Sequence, residues 1–250
     1  MQITVNPPSI DFGALASGEG ATGTVKTVEA PADAQVIATI RGDDASFFNV
    51  NSVSSYEWVL RPVDPGDLPP GYKGHPKERV LELAGQTDGK TPLRVSKGQI
   101  VEVEIAAVAP PVSDKANFNA QLLIQGDTWG DPAAVNLSML YGHVEIVPDS
   151  LQVGISQVEP GSVTFSLTLT DGPTPTGIST RVFFELANWT TDAVVTFAGD
   201  NSPVIVGPQH TTVPAKRRFQ LSGPQNSGFF HLAATAFDKR QSKLLVFQIV

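Results

Sequence analysis

Apolar and polar residues alternate with period two along most of the chain. Val163, Phe165, Leu167 and Leu169 interleave with Thr164, Ser166, Thr168 and Thr170, and Val101, Val103 and Ile105 interleave with Glu102 and Glu104. Successive side chains of a strand point to opposite faces, so each run buries one face and wets the other. The same reading predicts strands at Gln35–Ile40, Tyr56–Leu60, Arg79–Leu83, Ala120–Ile124, Val135–Leu140, Thr180–Leu186, Ala193–Phe197, Gly228–Ala236 and Lys243–Val250. These runs are rich in Val, Ile, Phe and Thr and are separated by Gly, Pro, Asp and Asn. No window of a dozen residues carries a helical period. Short strands punctuated in this way predict an all-β chain of antiparallel sandwiches.

An internal repeat divides the pattern. Pro8-Ser9-Ile10-Asp11-Phe12-Gly13 parallels Pro148 to Gly154, with Ser9 and Ser150 at an offset of 141. Later, Val95-Ser96-Lys97 parallels Val213-Pro214-Ala215-Lys216 at an offset of 118. The first unit therefore carries about 23 additional residues in its middle, and Arg61–Thr91, rich in Pro and Gly, is the expected insert. The boundary falls near Val147–Pro148, giving domains 1–147 and 148–250. A junction this short and bearing a proline predicts a stiff pair.

Charge follows that boundary. The 250-residue chain has net charge −8. Residues 1–147 hold 10 basic and 18 acidic side chains, and residues 148–250 hold seven of each. The acidic excess argues against nucleic acid as a partner, because phosphates need a basic face. The chain has no cysteine, which excludes disulfides, thiolate metal sites and a cysteine nucleophile. No apolar run reaches the roughly 18 residues of a membrane span. No signal peptide is visible before Gln2-Ile3-Thr4-Val5, which fits an intracellular or virion-packaged protein or the mature part of an exported one; a bacterial cell surface is the expected setting and a phage virion the alternative.

The first domain resembles the ASPM–SPD-2–Hydin family, the "choice-of-anchor D" type of immunoglobulin-like sandwich. Ile10-Asp11-Phe12-Gly13 with Gly18, then Gly42 to Val50, carry the resemblance. Lys97-Gly98 before Val101–Ile105, Ala120 to Ile124, and Val135 to Ser138 ending at Gly142 complete it. The insert at Arg61–Thr91 departs from the family pattern. The resemblance implies a seven-strand sandwich acting as a structural or docking module. The second domain shares only the general immunoglobulin-like outline, so the expected fold is two such sandwiches in tandem.

Catalytic chemistry finds no constellation. His75, His143, His210 and His231 lack metal-motif spacing, and no G-x-S-x-G elbow occurs. The acidic pairs Asp43-Asp44, Asp64/Asp67 and Asp127/Asp131 read as turn aspartates that bond nearby amides. No enzyme activity and no cofactor are expected. Candidate contacts are aromatics on loops and a basic group. Trp129, in Gln125 to Pro132, either offers contact area or folds back to cap its own sandwich. Tyr72, in Pro69 to Gly74, has little apolar surface around it and reads as a contact. Trp58 and Trp189 read as core. Lys216, Arg217 and Arg218 before one strand, with Lys239 and Arg240 in a hairpin, would share one rim if the strands are antiparallel. An acidic first domain could meet such a rim of a neighbouring copy, head to tail. The expected function is thus non-enzymatic. It is a structural or protein-binding module of a bacterial or phage surface assembly, with itself or another protein as partner, engaged through loops or sheet edges. The alternative is a carbohydrate-binding accessory module or adhesin using Trp129 or Tyr72 on a glycan.

Overall fold

A computed structural model describes residues 3–64, 76–173, 179–187, 194–222 and 228–250. Contacts divide the chain into two compact units. One comprises Met1–Phe12, Gly20–Val108 and Asn119–Ser138; the other comprises Gly13–Glu19, Ala109–Phe118 and Met139–Val250. Among the described residues the regular secondary structure is all strand, apart from one 3-10 turn at Ala45–Phe47.

The first sandwich is built from β1 (Val5–Asn6), β2 (Ser9–Leu15), β3 (Gly20–Thr27), β4 (Ala34–Arg41), β5 (Phe48–Pro62), β6 (Lys77–Thr87), β7 (Leu93–Val95), β8 (Ile100–Val108), β9 (Asn117–Gly126) and β10 (Ala133–Tyr141). Its sheets run β1-β3-β8-β5-β6 and β2-β10-β9-β4-β7. The alternation read from the sequence sets what faces inward. Val101, Val103, Ile105 and Ala107 are fully buried, while Glu102 and Glu104 stand on the outer face. Phe12, Phe48, Leu122, Ile124, Val135, Leu137 and Met139 close the core from both sides.

The second sandwich uses β11 (His143–Pro148), β12 (Gln152–Val153), β13 (Gly161–Asp171), β14 (Thr180–Ala187), β15 (Val195–Phe197), β16 (Val204–Val206), β17 (Thr212–Leu221), β18 (Gly228–Ala236) and β19 (Gln241–Ile249). The sheet orders are β11-β13-β17-β15 and β12-β19-β18-β14-β16. The sheets divide between β10 and β11, so His143–Val147 pair with β13 in the second sandwich. Its core is aromatic. Phe165 lies 4.7 Å from Phe184, and Phe219 lies 4.9 Å from Phe230, centroid to centroid. Phe230 stacks on Phe247 at 5.2 Å.

The two sheet orders match strand for strand except at β6. In each sandwich the leading strand splits between the two sheets, and consecutive strands return by Greek-key connections, which makes both immunoglobulin-like. The element without a counterpart is β6, together with the distal half of β5. In the second sandwich the equivalent of β5 is β15, three residues long. β5 is 15 residues long.

Edges are managed by side chains. β11 is an edge strand whose outward backbone groups would otherwise be open to another chain. Gln241 accepts from Val144 N–H at 2.9 Å and donates to Val144 C=O at 2.8 Å, while Lys243 Nζ donates to Ile146 C=O at 2.8 Å.

Candidate binding surface

Trp129 is not a contact residue. The loop between β9 and β10 folds back on itself, and the indole is 8% exposed. Its Nε1–H donates to Ala32 C=O at 3.0 Å. The ring lies over Gly126, where a Cβ would come within 2.4 Å of it. Thr128 donates to Asp33 C=O at 2.6 Å, and Asp127 accepts from Gln35 N–H at 2.8 Å. Asp127, Thr128 and Trp129 are thus each bonded to the chain entering β4. A buried indole N–H needs an acceptor, and Ala32 supplies it, so of the two sequence readings the cap is the one realised. A sugar cannot stack on this ring. Tyr72 and His75 lie outside the described residues, as does Trp189.

The five basic residues do not form one rim. Lys216, Arg217 and Arg218 lie inside β17 rather than ahead of a strand, opposite Thr164, Val163 and Ser162 of β13. Strand parity then separates them. Lys216 and Arg218 stand exposed on the outer face, while Arg217 points inward and is 6% exposed. Its guanidinium sits 4.7 Å over the Phe184 ring, donating to Ser202 C=O at 2.7 Å and Lys216 C=O at 3.1 Å. Burial lowers the Arg217 pKa, and the charge of Asp200 opposes the shift in part. Lys239 and Arg240 sit in the β18–β19 turn, in the other sheet. That turn lies at the Leu169 end of β13, five residues or about 17 Å beyond the Thr164 level. Lys239 pairs with Glu185 at 3.3 Å, and Arg240 donates to Asn117 at 3.4 Å. Phe237, Asp238 and Lys239 hold φ of 51°, 55° and 73°, a left-handed run that L-residues rarely adopt. The head-to-tail contact through a basic rim therefore has no rim to use.

Acidic residues serve backbone caps, as turn aspartates do. Asp44 is buried and accepts from Asn119 N–H at 2.8 Å. Asp88 accepts from Lys90 and Thr91 N–H at 3.0 and 3.1 Å, which lowers its pKa.

The surface that sequence reasoning missed is on β5 and β6. β5 pairs with β8 from Phe48 to Tyr56, and from Val53 it also pairs with β6 on its other side. β8 ends its pairing at Ile100, opposite Tyr56. Beyond that level, among the described residues, β5 and β6 pair only with each other, through Glu57↔Glu82, Trp58↔Leu81, Val59↔Val80, Leu60↔Arg79, Arg61↔Glu78 and Pro62↔Lys77. The result is a two-stranded arm with two unlike faces. One carries Tyr56, Trp58, Leu60, Leu81 and Leu83, with Arg79 and Lys77 at its distal end. Trp58 is 42%, Leu60 63% and Leu83 56% exposed. The Arg79 guanidinium covers part of the indole at 4.6 Å. The other face carries Val59 and Val80 between Glu57/Glu82 and Arg61/Glu78. Arg61 pairs with Glu82, and the hydrogen bond and charge of Glu82 raise the Arg61 pKa. At the root of the arm, Tyr56 donates to Glu102 at 3.1 Å, and Lys26 pairs with Glu102 at 2.8 Å. Burial and Glu102 raise the Tyr56 pKa, while the Glu102 hydrogen bond and charge raise that of Lys26.

No known family profile matches the chain, and no curated protein matches it. The sheets show the immunoglobulin-like sandwich rather than any one of its families. Solved structures match at low levels. A protein of unknown function from Porphyromonas gingivalis W83 is 12% identical with a TM-score of 0.33, over 98% of this chain and 97% of its own. The D00-D0 domain of intimin is 9% identical with a TM-score of 0.28, over 98% and 99%. A family 123 glycoside hydrolase from Clostridium perfringens is 10% identical with a TM-score of 0.36, over 55% of this chain and 23% of its own. No function passes to this chain from any of them.

Proposed function

We propose that this chain is a non-enzymatic structural and protein-binding module of a bacterial or phage surface assembly, and that the β5–β6 arm is its contact element. One observation carries the reading. The arm holds Trp58, Leu60 and Leu83 in water on one contiguous face, in the same sandwich that buries Trp129. Scattered apolar residues on a surface are ordinary, but a contiguous aromatic and aliphatic face marks an interaction site. An isolated two-stranded ribbon is only marginally stable in water, so this element gains most from a partner. The acidic first domain favours protein over nucleic acid. The alternative glycan reading loses Trp129 and keeps only Tyr72.

Photo-crosslinking tests this. A benzoylphenylalanine replacing Leu60, in the assembly where the protein is made, is expected to yield discrete protein adducts, while one replacing Glu159 is not. Adducts from position 159 alone would place the contact elsewhere and overturn the reading.

A further inference from the structure

The arm's two faces complement each other. The apolar face carries two positive charges, Arg79 and Lys77, both at its distal end. The opposite face carries Glu57, Glu78 and Glu82 against Arg61, a net of two negative charges, with Glu57 and Glu82 at its proximal end. Each face has an apolar centre: Trp58 and Leu81 on one, Val59 and Val80 on the other.

We infer that the occupant of the apolar face is the acidic face of the same arm in a second copy of this chain, the two arms stacked antiparallel. This inference rests on the arm being the contact element. Antiparallel stacking sets Arg79 and Lys77 of one copy over Glu57 and Glu82 of the next and lays Trp58 and Leu81 on Val59 and Val80. Unlike faces meet, so the contact is heterologous. Each copy keeps one free face, and the stack grows rather than closes.

Two physical arguments select this arrangement. Edge pairing of β6 with β6 of another copy is blocked by its charge pattern. Its basic residues, Lys77 and Arg79, are at odd positions and its acidic residues, Glu78 and Glu82, at even positions. A two-fold antiparallel pairing sets residues of equal parity opposite each other, so no register of that pairing brings an acid opposite a base, and several bring like charges together. Stacking apolar face on apolar face would bring Arg79 and Lys77 of both copies into one contact with no acid at the paired positions of either apolar face. Only the unlike-face contact neutralises both. The paired arm is seven residues long, about 23 Å. Such a footprint falls short of the roughly 1,200 Å² of a stable interface, so assembly is weak and appears at high concentration and low salt.

Sedimentation velocity with face-specific variants of the full chain tests this. Trp58→Ser with Leu60→Ser disables the apolar face; Val59→Lys with Val80→Lys disables the acidic one. The wild type is expected to shift to larger species above about 0.1 mM at low salt, and each variant is expected to stay monomeric alone. An equimolar mixture of the two variants is expected to form a dimer and stop there, since each retains one working face. Unchanged melting of both variants confirms that folding is intact. A second pair keeps the test independent of the apolar substitutions: Arg79→Glu and Glu82→Arg are each expected to weaken assembly and to restore it when mixed. A mixture of face variants that stays monomeric while the wild type assembles would overturn the unlike-face contact. A wild type that is monomeric throughout would overturn self-association. Position-60 crosslinks to a different protein would then leave the arm as the contact element.

Discussion

The two sandwiches share a sheet order and differ at one place. Where the second has β15, a strand of three residues whose Val195 closes the core, the first has a 15-residue β5 and an added β6. In the first, one pair of strands runs on past its neighbour β8 and carries its apolar residues into water. Two copies of one architecture thus separate what the fold needs from what has been added to it. The tryptophans of the first sandwich mark the same division. Trp129 closes a core and satisfies its own N–H, while Trp58 is 42% exposed with a guanidinium over its ring.

The largest expected effect lies on the side of the fold. Trp129→Ala removes a buried indole and its hydrogen bond, and is expected to cost the first sandwich about 3–5 kcal/mol in urea denaturation. A loss under 1 kcal/mol would mean that the loop does not cap the core. Arg217→Ala is expected to cost the second sandwich about 1–3 kcal/mol, because Ser202 C=O loses its donor and Phe184 its cover. Arg217→Met, which fills similar space without a charge to desolvate, is expected to cost less. If methionine costs as much as alanine, the charge rather than the volume matters at this position. Trp58→Ser is expected to change stability by less than about 0.5 kcal/mol; a larger loss would make Trp58 a core residue after all.

The smallest effect is on pH dependence. Asp88 and Asp200 accept backbone and hydroxyl hydrogen bonds that lower their pKa values. A carboxylate with a lowered folded pKa contributes stability above its unfolded pKa, near 3.9, and loses it as pH falls through the folded value. Both loops are therefore expected to keep their conformation through pH 4 and to loosen below it. Carboxyl titration by NMR checks this, and a midpoint above 4 for either group would contradict the hydrogen bonding described.

Strand existence was legible in the sequence because period-two alternation is a direct consequence of strand geometry. β18 matches its expected span, Gly228–Ala236, residue for residue. β17 extends back through Lys216, Arg217 and Arg218, which the sequence places before the strand; in the fold the middle one, Arg217, points inward and finds carbonyls and an aromatic ring there. β3 was not read at all, since Gly20-Ala21-Thr22-Gly23 carries almost no apolar signal, although Val25 within it is fully buried. The arm was missed for a different reason. Tyr56–Leu60 and Arg79–Leu83 were both read as strands, and alternation alone does not tell a strand that ends against a neighbour from one that outruns it. That distinction depends on where β8 stops, a property of the sheet and not of either strand. The basic residues failed as one rim for a related reason, because proximity across a sandwich is set by which sheet a strand joins.

The central claim, that the arm rather than the sandwich bodies makes the contact, is tested most directly by hydrogen–deuterium exchange of the wild-type chain at low and high concentration. Protection is predicted to grow with concentration at residues 56–62 and 77–83 and to stay constant in β8, β13 and β18. Protection that grows elsewhere while the arm's amides stay unchanged would contradict it.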